Sequence, residues 1–197
     1  MSEAQLATAA DTEVLAKILA DAFHEDALTR WITPDDARRA TILPAFFREF
    51  LDISLRYNSV YTNSARDAAL LFLPPGAWEE TETRGEELAA RFTEILGPDA
   101  ERMATISGLQ TIHHPTGRPH YYLSFAGVSP SSQRHGAMSV LYDTLMARID
   151  ADRAAAYAEA SSSGGLAVSR RYGFLPVGTT IEIPDGPTLQ PMWREPQ

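Results

Sequence analysis

The chain contains no cysteine. Disulfides, thiolate metal sites, a cysteine nucleophile and a covalent acyl-cysteine intermediate are therefore excluded, and any group transfer must go by direct attack. Lysine is nearly missing too: Lys17 stands alone, arginine supplies the rest of the 17 basic residues, and 26 acidic residues outnumber them. The formal net charge of −9 argues against nucleic-acid binding, which needs a basic surface to displace counterions, and favours a neutral or cationic small partner such as an amine. Long apolar runs are absent as well. A stretch such as Ala68–Leu73 is far too short to span a bilayer, so no membrane partner is expected. The opening MSEAQLATAADTEVL carries acid rather than base and no apolar core of a secretion signal, which predicts a cytoplasmic protein. No GxGxxG or Walker loop occurs.

What is present is an ordinary globular composition, 44% hydrophobic and 22% charged over 197 residues, which predicts one domain spanning 1–197. A short strand is expected near Gln5–Ala9. Asp11 and Thr12 then cap a helix whose Val14, Leu15, Ile18, Leu19, Ala22 and Phe23 recur at helical spacing. His24–Asp36 reads as a loop with a short helix, and Arg38–Tyr57 as a long helix. Strands are expected at Ser59–Thr62 and Ala68–Leu73, the second stopped by Pro74-Pro75-Gly76. Glu79–Glu87 reads as an exposed acidic face, followed by helices at Leu88–Leu96 and Ala100–Ile112. Downstream come a strand to Val128, a helix over Met138–Asp152, a strand over Ala155–Ala160, a short helix at Leu166–Arg171, and closing strands at Phe174–Thr180, Ile181–Ile183 and Leu189–Arg194. Alternating strands and helices with flanking hairpins predict an α/β fold whose mixed sheet has six or seven strands and helices on both faces.

The stretch Tyr121–Tyr142, YYLSFAGVSPSSQRHGAMSVLY, carries the strongest functional signal. A buried strand ends in a short polar turn holding Gly136, and an amphipathic helix follows. Such a turn delivers free backbone N–H groups to one point at the positive end of the helix dipole, where a phosphate is stabilised without lysine.

The run Gly127-Val128-Ser129-Pro130-Ser131-Ser132-Gln133-Arg134-His135-Gly136-Ala137 resembles the acetyl-CoA loop of GNAT-superfamily N-acetyltransferases. Two further blocks follow in the family's order: Ala156-Tyr157-Ala158-Glu159-Ala160-Ser161, similar to the next core strand, and Arg171-Tyr172-Gly173-Phe174, similar to the entry to the strand after it. Pro119-His120-Tyr121-Tyr122-Leu123 and Ile183-Pro184-Asp185-Gly186-Pro187 resemble the puromycin N-acetyltransferase-like subgroup. The resemblance implies central parallel strands that splay apart to admit the pantetheine arm of acetyl-CoA, the co-substrate. It implies pyrophosphate held by the N–H groups of Arg134, His135, Gly136, Ala137 and Met138, after Gln133, with a hydroxyl from Ser139. It also implies pantetheine paired to the main chain of Phe125, Gly127 and Val128, with the Val128 N–H as oxyanion donor. Many relatives are dimers, which leaves a homodimer open.

Three positions depart from the family pattern. Met138 stands where the loop motif asks for a small residue, and either crowds the pyrophosphate or turns into the core. Gly165 replaces a pantetheine-contacting asparagine, and Ser169 falls where the resemblance places the tyrosine that protonates the departing thiolate. A serine is a poorer acid, so a water bridges, Tyr172 or another group takes over, or the thiolate leaves unaided. For the base, Glu159 on a core strand is the first candidate, with a structural hydrogen-bonding role as the alternative, and His120 is the second. Trp31, Tyr121 and Tyr122, with Phe125, form either an aromatic acceptor pocket or ordinary core. The adjacent His113 and His114 diverge and lack a ligand set, so no metal is expected. The leading expectation is an acetyl-CoA-dependent acetyl transfer to a small-molecule amine. The alternative is a GNAT-like protein that has lost that reaction and binds another ligand, or performs a non-acetyl step in a biosynthetic pathway.

Overall fold

A computed structural model describes residues 3–197, so the first two residues of the expected 1–197 span lie outside it. In chain order the elements are β1 (Ala4–Leu6), α1 (Thr12–Phe23), α2 (Ala27–Ile32), α3 (Asp36–Leu55), β2 (Val60–Asn63), β3 (Ala68–Leu73), α4 (Ala77–Glu82), α5 (Gly85–Leu96), α6 (Ala100–His113), β4 (His120–Val128), α7 (Ala137–Ala151), β5 (Ala155–Ala160), α8 (Ser163–Arg171), β6 (Leu175–Pro176), β7 (Ile181–Glu182) and β8 (Thr188–Arg194). Side-chain caps start three of the helices. Asp26 accepts from the Leu28 N–H at 2.9 Å, Asp35 from the Arg38 N–H at 2.7 Å, and Ser162 from the Gly165 N–H at 3.1 Å.

Seven strands form the path β1-β2-β3-β4-β5-β8-β6, and β7 pairs with β8 off that path. Every pairing is antiparallel except β4 with β5. The expected closing strand Phe174–Thr180 shrinks to Leu175–Pro176. Pro176 has no N–H for a ladder, and Gly178 turns the chain at φ +62°. The acidic face Glu79–Glu87 is exposed as expected and is helical, in α4 and the start of α5, after Gly76 turns at φ +87°.

Strand alternation divides the core in two. Ala69 and Leu71 of β3 face α1, α3, α5 and α6, where Leu15, Leu19, Phe46, Phe47, Leu51 and Leu96 are buried. Ala68, Leu70 and Phe72 face α7 and α8, against Leu141, Leu145, Ile149 and Phe174. Between Leu71 and Phe72 the β3–β4 register slips by one residue, Ser124 being the extra one, and its Oγ donates to the Leu71 carbonyl at 3.2 Å. This bulge reverses the alternation of β4. Before it Leu123 faces α7, and after it Phe125 joins Phe23, Phe47 and Phe50 on the α1–α3 side, with ring centroids 4.7–5.6 Å away.

Candidate active site

The parallel pairing of β4 with β5 covers only His120–Leu123 against Ala155–Ala158. Beyond Leu123 and Ala158 the two strands part, just where the Ser124 bulge bends β4. Five more residues of β4, about 16 Å of strand, run on to Val128 with an edge that β5 leaves free. The N–H of Ser129 donates to the Asp67 carbonyl, on the β3 side, at 2.8 Å. Successive strand N–H groups alternate in direction, so the Val128 N–H points the other way, into the split.

The chain then makes a polar turn with Gln133, Arg134, His135 and Gly136 exposed. Arg134 and Gly136 take left-handed backbone at φ +65° and +82°, and Gly136 caps α7. The cap turns the first N–H groups of α7 toward the exposed loop, the arrangement that receives an anion. Met138 resolves one of the two alternatives: its side chain packs against the core under α7. Gly165 has room for a side chain, since a Cβ there would meet nothing closer than Ser162 Oγ at 3.4 Å.

Gly127 is explained by packing. A Cβ there would lie 2.9 Å from Leu19 Cδ2, 3.2 Å from Ala22 Cβ and 3.3 Å from Phe23 Cε2, so the glycine lets α1 lie close against β4.

At the mouth of the split sits Glu159, the first residue of β5 past the last paired one. Its Oε2 accepts from Gln110 Nε2 at 2.6 Å and lies 3.5 Å from the Tyr122 hydroxyl, and its Oε1 accepts from the Tyr157 hydroxyl at 3.0 Å. Burial pushes the Glu159 carboxyl above the usual range, and these three donors oppose the shift. The Tyr122 and Tyr157 phenols are driven well above theirs, first by burial and then by the neighbouring carboxylate, so they remain donors. Two residues on, Ser161 Oγ reaches Asp26 Oδ2 at 3.4 Å and ties the end of β5 to the cap of α2.

His120, the second candidate base, lies at the wrong end. It opens β4 in the paired half, where its Nδ1 meets the Arg118 carbonyl at 2.8 Å and its Nε2 meets His114 Nε2 at 3.0 Å. A carbonyl only accepts, so His120 Nδ1 carries the proton. His114 Nδ1 is buried and has no partner among the described residues. His114 stacks on Trp78 at 4.0 Å and 5°, and burial holds its pKa down to about 3. Ser169 is buried at the end of α8, where its carbonyl accepts from the Tyr172 and Phe174 N–H groups. Tyr172 stacks on Tyr142 at 4.7 Å and lays its hydroxyl 3.3 Å from the Ser139 carbonyl, in the first turn of α7.

The proposed aromatic pocket separates into four environments. Tyr121 points under α7 and donates to Asp152, on the face opposite Tyr122. Phe125 belongs to the phenylalanine cluster. Trp31 stands on α2, where Arg102 donates to its carbonyl at 2.7 Å and lies 5.6 Å from its ring, and it lines an open groove of about 400 Å³ with Glu25, Arg30, Asp185 and Gly186. Only Tyr122 remains beside Glu159.

Two contributors escaped the sequence reading. Gln110 is one. The other is Arg39, a buried guanidinium that donates to the carbonyls of His24 (2.8 Å), Thr33 (3.0 Å) and Pro34 (3.2 Å) and to Asp36 (2.6 Å), pinning both ends of α2. Among the described residues, His24, Glu25 and Asp36 bring potential metal-ligand atoms within 4.8 Å of one another, but that cluster already surrounds Arg39. No sequence signal marked either residue, since an arginine or glutamine on a helix normally reads as a solvated face.

No known family model matches the chain, and no curated protein sequence does. Solved structures do. An acetyltransferase from Corynebacterium glutamicum, described as histone acetyltransferase HPA2 and related acetyltransferase, superposes with a TM-score of 0.71 at 27% identity, covering 100% of this chain and 97% of its own. This is the fold of an acyltransferase. An agmatine N-acetyltransferase (TM-score 0.64, 17% identity, 98% and 99% covered) and a Drosophila melanogaster polyamine N-acetyltransferase (0.65, 15%, 99% and 100%) share the acyltransferase fold. The expected mixed α/β sheet with helices on both faces stands. Among the described residues no helix is long and apolar enough to cross a membrane.

Proposed function

We propose that the protein, as one acyltransferase domain over 1–197, is a cytoplasmic N-acetyltransferase that moves an acetyl group from acetyl-CoA directly to a small-molecule amine. The observation that carries this reading is the early end of β4–β5 pairing, together with a left-handed, glycine-capped turn into α7 at the far end of the freed strand. The residues fit such a carrier. The freed edge of β4 is backbone able to pair with an amide-bearing arm, the first N–H groups of α7 suit a pyrophosphate, and Met138 leaves the turn clear.

In the reaction, Glu159 takes a proton from the acceptor ammonium, and the neutral amine attacks the thioester carbonyl. The Val128 N–H receives the developing oxyanion, the C–S bond breaks, and the second proton of the attacking nitrogen passes to the departing thiolate through solvent, which leaves a neutral amide and a thiol. The neighbours that carry agmatine, polyamine and arylalkylamine N-acetyltransferase names support an amine acceptor. The subgroup resemblance to puromycin N-acetyltransferase-like enzymes belongs to this proposal too, as does a homodimer.

Ser169 favours the alternative reading, a GNAT-like protein without ordinary acetyl transfer, because no phenol stands at its position. Titration calorimetry separates the two. Acetyl-CoA is expected to bind in the micromolar range, with Gly136→Glu weakening it at least about 100-fold, since a side chain at φ +82° strains the turn and its charge faces the anion. Turnover of agmatine, a polyamine or an arylalkylamine then completes the case. Absence of any acetyl-CoA binding overturns it in favour of the alternative.

A further inference from the structure

Between β3 and β4 the chain leaves the sheet for residues 74–119, and the last turn of α6 brings it back. That turn presents Gln110, and His114, four residues on, caps the helix with its N–H on the Gln110 carbonyl. Both reach the β4–β5 pair. His114 meets His120 at its closed end, while Gln110 Nε2 donates to Glu159 Oε2 at 2.6 Å and lies 3.3 Å from the Tyr122 hydroxyl at its open end.

We propose that Gln110 is a positioning residue for amine attack, its amide holding the Glu159 carboxylate ionised and fixed at the mouth of the split. The inference rests on Glu159 being the base. A carboxyl desolvated in this way drifts toward its neutral form, and a neutral acid accepts no proton. The groups facing Glu159 are Tyr122 from β4, Tyr157 from its own strand, and Gln110 from α6, with the charge of His113 acting from the same helix. Gln110 is the closest donor. Unlike a phenol or an imidazole, its amide does not titrate, so it donates at every working pH. The same nitrogen lies 3.3 Å from the Tyr122 oxygen, which brings helix, phenol and carboxylate into one arrangement. Three donors on four lone-pair directions leave one for the incoming proton: R–NH3⁺ gives H⁺ to Glu159, leaving a neutral amine and a neutral carboxyl, which later returns the proton to solvent.

The test follows kcat/KM against pH with the fastest amine among agmatine, a polyamine and an arylalkylamine. A hydrogen bond to a charged group is worth about 1.5–3 kcal/mol, so Gln110→Leu is expected to lower kcat/KM near neutral pH by roughly tenfold or more. Activity should recover as the pH is raised, because losing the donor lifts the acid limb. Gln110→Glu, which sets a second carboxyl against the first, should move that limb further. Acetyl-CoA affinity should hold in both variants, while the unfolding midpoint falls with the lost hydrogen bond. A uniform loss at all pH values, or weakened acetyl-CoA binding, would mean a merely structural glutamine and overturn the proposal. So would an unmoved pH profile while Glu159→Gln is inactive. If Glu159→Gln stays active, the base reading itself falls and the positioning role with it.

Discussion

The two ends of the β4–β5 pair are both lined by aromatic rings and do opposite things. At the closed end, Trp78 stacks on His114, His114 and His120 pack tilted ring on ring and His120 does the same with Trp193, and Arg118 crosses Trp193 to bind Glu195 at 2.7 Å. At the open end, Tyr122, Tyr157 and Gln110 surround a carboxylate where backbone pairing stops. The difference is a single residue of register. The Ser124 bulge bends β4 away and reverses its faces, so backbone that would otherwise be spent on β5 is left for a ligand.

Glu159→Gln should break only the open end. It keeps volume and accepts hydrogen bonds but removes the proton acceptor, so kcat is expected to fall about 10²–10⁴-fold with acetyl-CoA affinity unchanged in calorimetry. A fall under tenfold would return Glu159 to a structural role.

Gly127→Ala sharpens the comparison from the packing side. The added methyl meets Leu19, Ala22 and Phe23 at 2.9–3.3 Å and pushes α1 off the strand that borders the split. Overpacking of this kind costs about 1–3 kcal/mol, readable as a lower urea midpoint at unchanged slope. If the variant kept wild-type stability and lost only acetyl-CoA binding, Gly127 would belong to the ligand instead.

The parts of this design that were legible in the sequence are local. The helical repeat from Leu15 to Phe23, the apolar run Ala68–Leu73 stopped by two prolines, and the strand–turn–helix around Gly136 each follow from near neighbours, and they sufficed for the architecture. The bulge was not legible, because Ser124 becomes an extra residue only when β3 fixes the register. Tyr121 and Tyr122 were grouped as one pocket although strand alternation alone sends them to opposite faces. His120 reads as a candidate base because nothing in the sequence says at which end of β4 the pairing stops. Gln110, 49 residues from Glu159, and Arg39, buried among carbonyls, gain their roles through contacts that no periodicity encodes.

The closed end can be probed through its buried imidazole. His114 has a folded pKa of about 3 against an ordinary 6.5, held down chiefly by burial and then by His120. Below pH 6.5 the unfolded chain binds a proton at this position that the folded chain refuses. Its contribution is therefore intact above 6.5 and is lost as the pH falls toward 3, at about 1.4 kcal/mol per pH unit. His114→Phe keeps a flat ring against Trp78 but removes the titration. It also leaves His120 Nε2 without a partner, so some stability at neutral pH is given up. Measured by urea unfolding from pH 7 to pH 4, the variant should lose stability less steeply than the parent protein, and the two curves should converge as acid is added. The Glu159-dependent limb of the rate profile should stay where it was, because a phenylalanine ring keeps the edge contacts that His114 makes with Tyr122 and Tyr157, 5.1 Å between centroids in each. Parallel unfolding curves would mean that the imidazole takes up its proton within the folded state. The pair would then yield to acid, and the packing of that end would fall to Trp78 and Trp193.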